Sequence, residues 1–495
     1  MVIIPHEDDE INLAGAVIYH ARKLGIRVIC VFTTNGDWKY PGFICLKEVI
    51  QALAVLGVPE KDIVFLGYPD GGVHGERNVF VNGRKRPLIG RNGQSETYGL
   101  DNHADFAMQY RGGENHQAYT WNGLVQDIKD VILRDKPVMI MATDFDSHPD
   151  HRLCYLGFLH AMKSILHTCH EYRPVVLMGF CYSTGFEGRK DFYGPHLLSS
   201  VINTDQLWDK AYETDNPVYE WGNRIRFPVN EACRPWMKDN VIYKALSCHM
   251  SQKASTRAVR LINGDQVFWL RRTENRIYEG KVSVSSGNGD YLHDFMMMNT
   301  EHITDKKPVM ENYLWVPEAE DKEKWCRCDF NTPQTIQAVV FYGNIDGESR
   351  ILKGKLTFST GFSCLVGPFR KEGKETRIVV PVQKGVTWVQ FEILESQGNQ
   401  AGISEWEILD NVNLPVSVLQ ICANGHFAYD WAVYPGEKTE ISVYTYGIQG
   451  HVRWTVNGQR TTLESVNAQI CQLDRKLVVR VEAEDDPNLW SEAVF

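Results

Sequence analysis

The chain opens with VIIPHEDDE at residues 2–10, where an apolar run leads directly into a histidine and four acidic residues. This pattern predicts a short buried strand, a tight turn and then a helix that starts within the acidic run. Clustered carboxylates repel one another and resist burial unless a positive charge lies among them. Either a divalent metal supplies that charge, or the acids simply favour the positive end of the helix dipole.

Alternating strand and helix patterns continue from this stretch to about residue 275. The predicted strands are near-continuous apolar runs, and the predicted helices have apolar residues at helical spacing. Repeated β-α-β-α order with buried strands is typical of a parallel sheet with helices on both faces. We therefore predict a Rossmann-like α/β domain at residues 1–275. Its predicted strands are 2–4, 27–34, 63–66, 137–142 and 175–180, and its predicted helices are 11–24, 43–56, 121–134 and 151–167.

A second acidic cluster, DFDSHPDH at residues 144–151, also follows a predicted strand. Pro149 suits the first turn of a helix, so His148 is the predicted N-cap and His151 lies on the first turn. Ligands of parallel sheets bind beyond the carboxyl ends of the strands. Because both clusters fall at that edge, their placement favours a functional site over a merely electrostatic helix start.

Together, His6, Asp9 and His151 offer two nitrogens and one carboxylate oxygen. Three protein ligands with an open position are typical of a catalytic zinc, which lowers the pKa of the water held in that position. Asp8 can accept the proton of this water, and His148 can polarise a carbonyl oxygen and protonate a leaving amine. The set therefore predicts hydrolysis of an amide.

The two clusters, in this order, resemble the signatures of the PIG-L/LmbE family of zinc-dependent N-acetylglucosaminyl deacetylases, approximately P-H-P-D-D-E and H-P-D-H. The motifs TNG at 34–36, YPDG at 68–71 and HMSQ at 249–252 extend the resemblance to about residue 270. It implies one Zn²⁺ and removal of an N-acetyl group from an amino sugar, glycan or glycoconjugate.

Carried over by position, the resemblance implies the same metal ligands, with Asp8 as the base and His148 as the acid or oxyanion stabiliser. It also implies substrate contacts from Asp70, Asp150 and His249. An amidase of a thiol-sugar conjugate or small metabolite would use the same metal chemistry, and a non-catalytic glycan-binding protein is a third possibility.

The sequence departs from the family pattern at two positions. Glu7 stands where the family has proline, and we expect this side chain to point to solvent. Cys45 stands where family members tend to carry an arginine that contacts substrate. We expect a long polar loop, residues 73–118, to orient the substrate instead, through one or more of His74, Arg91, His103, Arg111 and His116.

After about residue 280, short strands with Gly, Asn and Pro turns replace the helices. Residues 281–410 resemble a discoidin-type, galactose-binding-like sandwich, and residues 411–495 are similar to bacterial Ig-like repeats. We therefore predict two all-β sandwich domains after the α/β domain.

Bulk composition excludes several classes of protein. The net charge of −10, from 52 basic and 62 acidic residues, and the absence of a long basic run argue against nucleic acid as a partner. No apolar stretch reaches the roughly 20 residues that span a bilayer. Twelve cysteines without a CxxC pair predict no disulfide framework. Without a leader pattern we expect a cytoplasmic protein by default, or an exported one if the start is trimmed; the oligomeric state is not predicted.

Overall fold

The computed structural model describes residues 1–72, 77–144, 146, 148–181, 196–200, 219–229, 237–297, 303–304, 307–308, 314–346, 348–434, 436–473 and 475–495. None of the helices in these ranges combines the length and the hydropathy that a bilayer crossing requires. The cysteines in these ranges are free thiols.

The described part of the first 275 residues contains a seven-stranded sheet in the order β3-β2-β1-β4-β5-β7-β6. Its strands are β1 (Val2–Ile4), β2 (Cys30–Thr34), β3 (Ile63–Tyr68), β4 (Met139–Thr143), β5 (Val175–Gly179), β6 (Ile225–Pro228) and β7 (Asp265–Arg271). Strands β1 to β5 pair in parallel. Strand β7 pairs antiparallel with both β5 and β6. The predicted α/β class is confirmed.

Helices cover both faces of this sheet. They are α1 (Asp9–Lys23), α2 (Gly42–Val55), α3 (Val79–Asn82), α4 (Phe106–Tyr110), α5 (Trp121–Asp135), α6 (Pro149–Thr168), α7 (Val241–Leu246) and α8 (Ala258–Leu261). Short 3-10 helices lie at Glu60–Asp62, Trp221–Asn223, Met237–Asp239, Ala254–Arg257, Arg276–Glu279 and Gly289–His293. The described part of the predicted long loop, residues 77–118, contains the two short helices α3 and α4.

Neighbouring residues of β1 point to opposite faces of the sheet, and each face has its own apolar core. Ile3 belongs to the core that α5 and α6 cover, whereas Val2 and Ile4 belong to the core that α1 and α2 cover. Burial on both faces explains why these strands are continuous apolar runs rather than alternating ones.

The chain order of the strands creates a crevice at the middle of the sheet. From β1 the chain winds outward through β2 to β3, and then it returns to β4 on the other side of β1. The loops after β1 and β4 therefore diverge, which leaves space beyond their carboxyl ends. Both acidic clusters of the sequence lie at this point.

The segment after residue 275 is built from antiparallel sheets, as predicted. Its strands are β8 (Gly280–Val284), β9 (Ile303–Thr304), β10 (Lys307–Pro308), β11 (Trp325–Tyr342), β12 (Arg350–Phe358), β13 (Ser363–Val366), β14 (Thr376–Gln397) and β15 (Glu405–Leu409). The main sheet has the order β13-β12-β14-β11-β15, and β8 pairs with β11. Strand β14 continues through Gly385, so the apolar stretches at 377–382 and 386–393 belong to one strand.

The described part of the last segment adds two small antiparallel sheets and one helix that the sequence did not predict. Its elements are β16 (Val418–Ala423), β17 (His426–Phe427), β18 (Ile441–Tyr446), β19 (Val452–Val456), β20 (Gln459–Thr461), α9 (Leu463–Cys471), β21 (Val478–Ala483) and β22 (Trp490–Val494). Val466 and Ile470, one turn apart on α9, are buried against the strands. The Ig-like resemblance and the domain limits at 275, 281 and 410 stay predictions.

Candidate metal and active site

The turn after β1 and the start of α6 bring three predicted metal ligands together. Asp9 Oδ2 lies 3.1 Å from His6 Nδ1 and 3.2 Å from His151 Nε2, so one carboxylate contacts a nitrogen of each histidine. All three residues are buried. Residues 145 positions apart in sequence thus form one compact set of nitrogen and oxygen donors.

The remaining nitrogen of each histidine is held by a further carboxylate. Asp146 Oδ2 lies 2.6 Å from His151 Nδ1, and Asp150 Oδ2 lies 3.2 Å from His6 Nε2. Carboxylates of this kind orient metal-binding imidazoles and fix their tautomer. Asp146 belongs to the second acidic cluster of the sequence but has no predicted role there. Its close spacing to His151 could have indicated this contact.

These surroundings stabilise positive charge despite burial. Burial alone would lower the pKa of His151, but Asp146 and Asp9 raise it to about 10. The pKa of His6 is likewise raised well above its usual range, because Asp150 and Asp9 outweigh burial. A donor set that attracts a proton this strongly also suits a metal cation, so the residues fit the implied metal.

Two overlapping groups of described side chains can hold a metal ion around His151. One group is His6, His148 and His151, and the other is Asp9, His151 and Cys181; within each group the ligand atoms lie within 4.8 Å of one another. A third group, built on His6, includes Asp70 and Asp150. The predicted trio of His6, Asp9 and His151 is not itself one of these groups, but His6 and Asp9 each share a group with His151.

His148 caps the first turn of α6. The Asp150 backbone N–H donates to His148 Nδ1 at 3.2 Å, so the neutral ring carries its proton on Nε2. Burial, with the neighbouring His6 and His151, lowers the pKa of His148 to about 3. His148 is consequently a neutral hydrogen-bond donor next to the metal ligands.

Asp8 adopts an unusual backbone conformation between β1 and α1. Its φ is +132°, in the region that normally requires glycine. Its N–H donates to Glu10 Oε2 at 2.9 Å, and its carboxylate forms an ion pair with Arg257. The side chain predicted to be the base is thereby held in place from both the backbone and the carboxylate.

Two of the three predicted substrate-contacting residues lie within the acidic network. Asp70 Oδ2 lies 3.9 Å from His6 Nε2, and burial followed by the neighbouring Asp150 raises the pKa of Asp70 to about 6. Asp150 also accepts hydrogen bonds from the Gly71 N–H and from Asn78. Both residues thus support His6, and their contact with substrate stays a prediction.

The third, His249, is fully buried, and its Nε2 lies 3.0 Å from Glu10 Oε1. Because the other oxygen of Glu10 accepts the Asp8 N–H, His249 acts on Asp8 through Glu10. Its contact with substrate also stays a prediction.

Residues 1–162 match the model of the PIG-L family, which is described as GlcNAc-PI de-N-acetylase. Residues 1–162 form a PIG-L domain. The match supports a deacetylase that acts on a sugar. Residues 279–409 match the model of a domain of unknown function, DUF7402. No curated protein matches the chain.

Several solved structures are similar to parts of the chain. The N,N′-diacetylchitobiose deacetylase from Pyrococcus horikoshii has 14% identity and a TM-score of 0.32, over 55% of this chain and 83% of that one. The family 32 CBM of NanJ from C. perfringens has 12% identity and a TM-score of 0.21, over 27% of this chain and 94% of that one. The fucose binding module SpX-3 from Streptococcus pneumoniae has 16% identity and a TM-score of 0.21, over 27% and 96%. At these identities the likeness concerns the fold alone.

Glu7 of the PIG-L domain is fully buried, so the expectation that it points to solvent is wrong. Among the described residues, neither of its carboxylate oxygens has a hydrogen-bond partner. A Cβ placed on Gly36 would lie 2.5 Å from Glu7 Oε2 and 3.4 Å from Cys45 Sγ, so these side chains meet at one glycine. Burial raises the pKa of Glu7 well above its usual range, which favours the neutral acid.

The described polar residues of the predicted substrate loop contact other side chains of residues 1–162. The contacts are His103–Glu60 at 3.3 Å, Arg111–Asp127 at 2.5 Å, His116–Asp105 at 2.5 Å and Arg91 over the Trp38 ring at 4.7 Å. His74 lies outside the described residues. A role for this loop in orienting substrate stays a prediction.

Proposed function

We propose that this protein is a zinc-dependent hydrolase that removes the N-acetyl group from an amino sugar, glycan or glycoconjugate. The observation that carries the proposal is the buried set of His6, Asp9 and His151, in which each histidine is oriented by a separate carboxylate. Two imidazoles and one carboxylate are typical of a catalytic zinc with an open position.

His6, Asp9 and His151 would hold the ion, which supplies Lewis acidity that polarises an amide carbonyl and acidifies water. Asp8 would accept the proton of the attacking water, which is the role that the family resemblance implies for this carboxylate. It then returns this proton to the amide nitrogen as the C–N bond breaks, which yields the free amine and acetate.

His148 donates its Nε2 proton in a hydrogen bond to the carbonyl oxygen, where negative charge develops. The donation of the Asp150 N–H to Nδ1 favours this role over protonation of the leaving amine, because it leaves the neutral ring with a donor at Nε2. This assignment is narrower than the acid or oxyanion stabiliser expected from the sequence.

The test is acetate release from a panel of N-acetylated sugars, chitooligosaccharides and thiol-sugar conjugates by the zinc-loaded chain. We expect Asp8→Ala to lower kcat by about 100-fold or more while zinc is retained. Glu171→Ala is the matched control, because this exposed acid precedes β5 at the opposite edge of the sheet. Full activity of Asp8→Ala, or no acetate from any substrate, would overturn the proposal.

A further inference from the structure

We propose that Arg257 is a substrate-binding residue of this centre, whose guanidinium holds an oxygen atom of the N-acetyl sugar next to Asp8. The inference rests on the proposed function, because it places the reacting amide beside Asp8. Neither the family match, which ends at residue 162, nor the sequence motifs include this arginine.

The position of the guanidinium relative to Asp8 is the first argument. Arg257 pairs with the Asp8 carboxylate, and the exposed fractions of the two side chains are 25% and 3%. Arg257 is thus the more exposed partner of a buried carboxylate. A substrate whose amide is to reach Asp8 must come within contact distance of Arg257.

The segment that carries Arg257 is anchored at three points, to the first turn of α1, to the middle of α2 and to the turn before α1. His249 contacts Glu10, the Ser251 N–H and hydroxyl donate to both oxygens of Glu48, and Gln252 donates to the backbone oxygen of Glu7. Lys253 then turns the chain with a φ of +52°, and the 3-10 helix Ala254–Arg257 follows. Arg257 is thus pre-positioned by contacts that do not depend on its own ion pair.

This anchoring separates a binding role from a structural one. The three anchors hold the segment whether or not Arg257 pairs with Asp8, so this ion pair is not what positions the chain here. An arginine has five N–H donors in a rigid fork, so one side chain can contact Asp8 and a substrate oxygen together.

The experiment compares Arg257→Ala and Arg257→Lys with the unaltered zinc-loaded chain, and uses N,N′-diacetylchitobiose as the probe. Calorimetry measures Kd, and acetate release measures KM and kcat. For Arg257→Ala we expect Kd and KM to rise by about 10- to 100-fold with a smaller change in kcat, because a charge-assisted hydrogen bond to substrate is lost. Added guanidinium ion should restore binding in part, and lysine should restore less than arginine.

Arg27→Ala is the matched control, because Arg27 pairs with Asp62 and Asp135 in the same domain but precedes β2 at the opposite edge of the sheet. Unchanged Kd and KM in Arg257→Ala, or a fall in kcat alone without guanidinium rescue, would overturn the inference. If the probe binds but no acetate is released, the proposed function is contradicted. The difference in Kd between the unaltered chain and Arg257→Ala would still test the role of Arg257. Absence of probe binding by the unaltered chain would overturn the inference.

Discussion

At the scale of single residues, further carboxylates hold the imidazole rings of the proposed metal ligands. Asp146 accepts from His151 Nδ1 at 2.6 Å and from the His148 backbone N–H at 2.9 Å. One aspartate therefore orients a predicted ligand and also holds the residue that caps α6. Without it, His151 would lose both its ring orientation and its preferred tautomer.

We expect Asp146→Ala to weaken zinc binding by about 10- to 100-fold, as is usual when the partner of a metal-binding histidine is removed. Competition with a zinc chelator measures this directly, and Glu171→Ala serves again as the control. An unchanged zinc affinity in Asp146→Ala would show that His151 does not need this carboxylate.

At the scale of elements, the turn from β1 to α1 stores strain where the chemistry is proposed. Asp8 has a φ of +132°, which costs a residue with a side chain on the order of 1–3 kcal/mol. Glu10 and His249 maintain this conformation, since the Asp8 N–H is bonded to Glu10. The backbone conformation of Asp8 depends on these packing contacts, and the local sequence does not indicate it.

Asp8→Gly is therefore expected to raise the free energy of unfolding of the metal-free chain by about 1 kcal/mol while it abolishes turnover. Lys136→Gly is a matched comparison, because Lys136 ends α5 with a φ of +41° and lies far from the proposed chemistry. We expect that variant to gain stability and keep its activity. Chemical denaturation and acetate release measure the two effects, and a destabilised Asp8→Gly would contradict the argument from strain.

At the scale of the whole molecule, a buried ionic cluster joins the α/β sheet to the following sandwich. Arg271 ends β7, and its guanidinium lies 3.5 Å from Glu405 and 3.5 Å from Glu407 of β15. Phe295 packs beneath the same guanidinium at 4.5 Å. Two acids share one arginine, so the cluster is most stable when at least one acid keeps its proton.

The stability of the chain should accordingly fall as the pH rises through about 7. Burial raises the pKa of Glu407 from 4.5 to about 7, although Arg271 and Arg272 act in the opposite direction. The folded chain therefore holds a proton that the unfolded chain releases. This contribution is complete below pH 4.5 and is lost as the pH rises through 7, with a size of about 3 kcal/mol or less.

Glu407→Gln should flatten this part of the stability profile between pH 5 and 8, because an amide cannot ionise. Denaturant midpoints across that range measure the effect, and Glu395→Gln, an exposed acid on β14 of the same sandwich, is the control. Parallel profiles for the unaltered chain and Glu407→Gln would show that Glu407 does not carry the pH dependence.

What the sequence by itself determined are the features that depend on neighbours along the chain. The apolar run before His6 indicates β1, and Pro149 indicates that His148 caps α6, because strand burial and helix capping are local effects. The α/β class and the predicted ligand set follow from these local patterns and from the rule that sites lie at the carboxyl ends of strands.

Only the tertiary structure decided the contacts that join distant segments. Asp8 and Arg257 are 249 residues apart, and Glu10 and His249 are 239 apart, so no spacing in the sequence indicates that they meet. The burial of Glu7 and the contact of Arg271 with β15 depend in the same way on how separate elements pack. Local chemistry selects the elements and the candidate ligands, whereas packing decides which charges are neighbours, because burial and charge pairing arise only when the chain is folded.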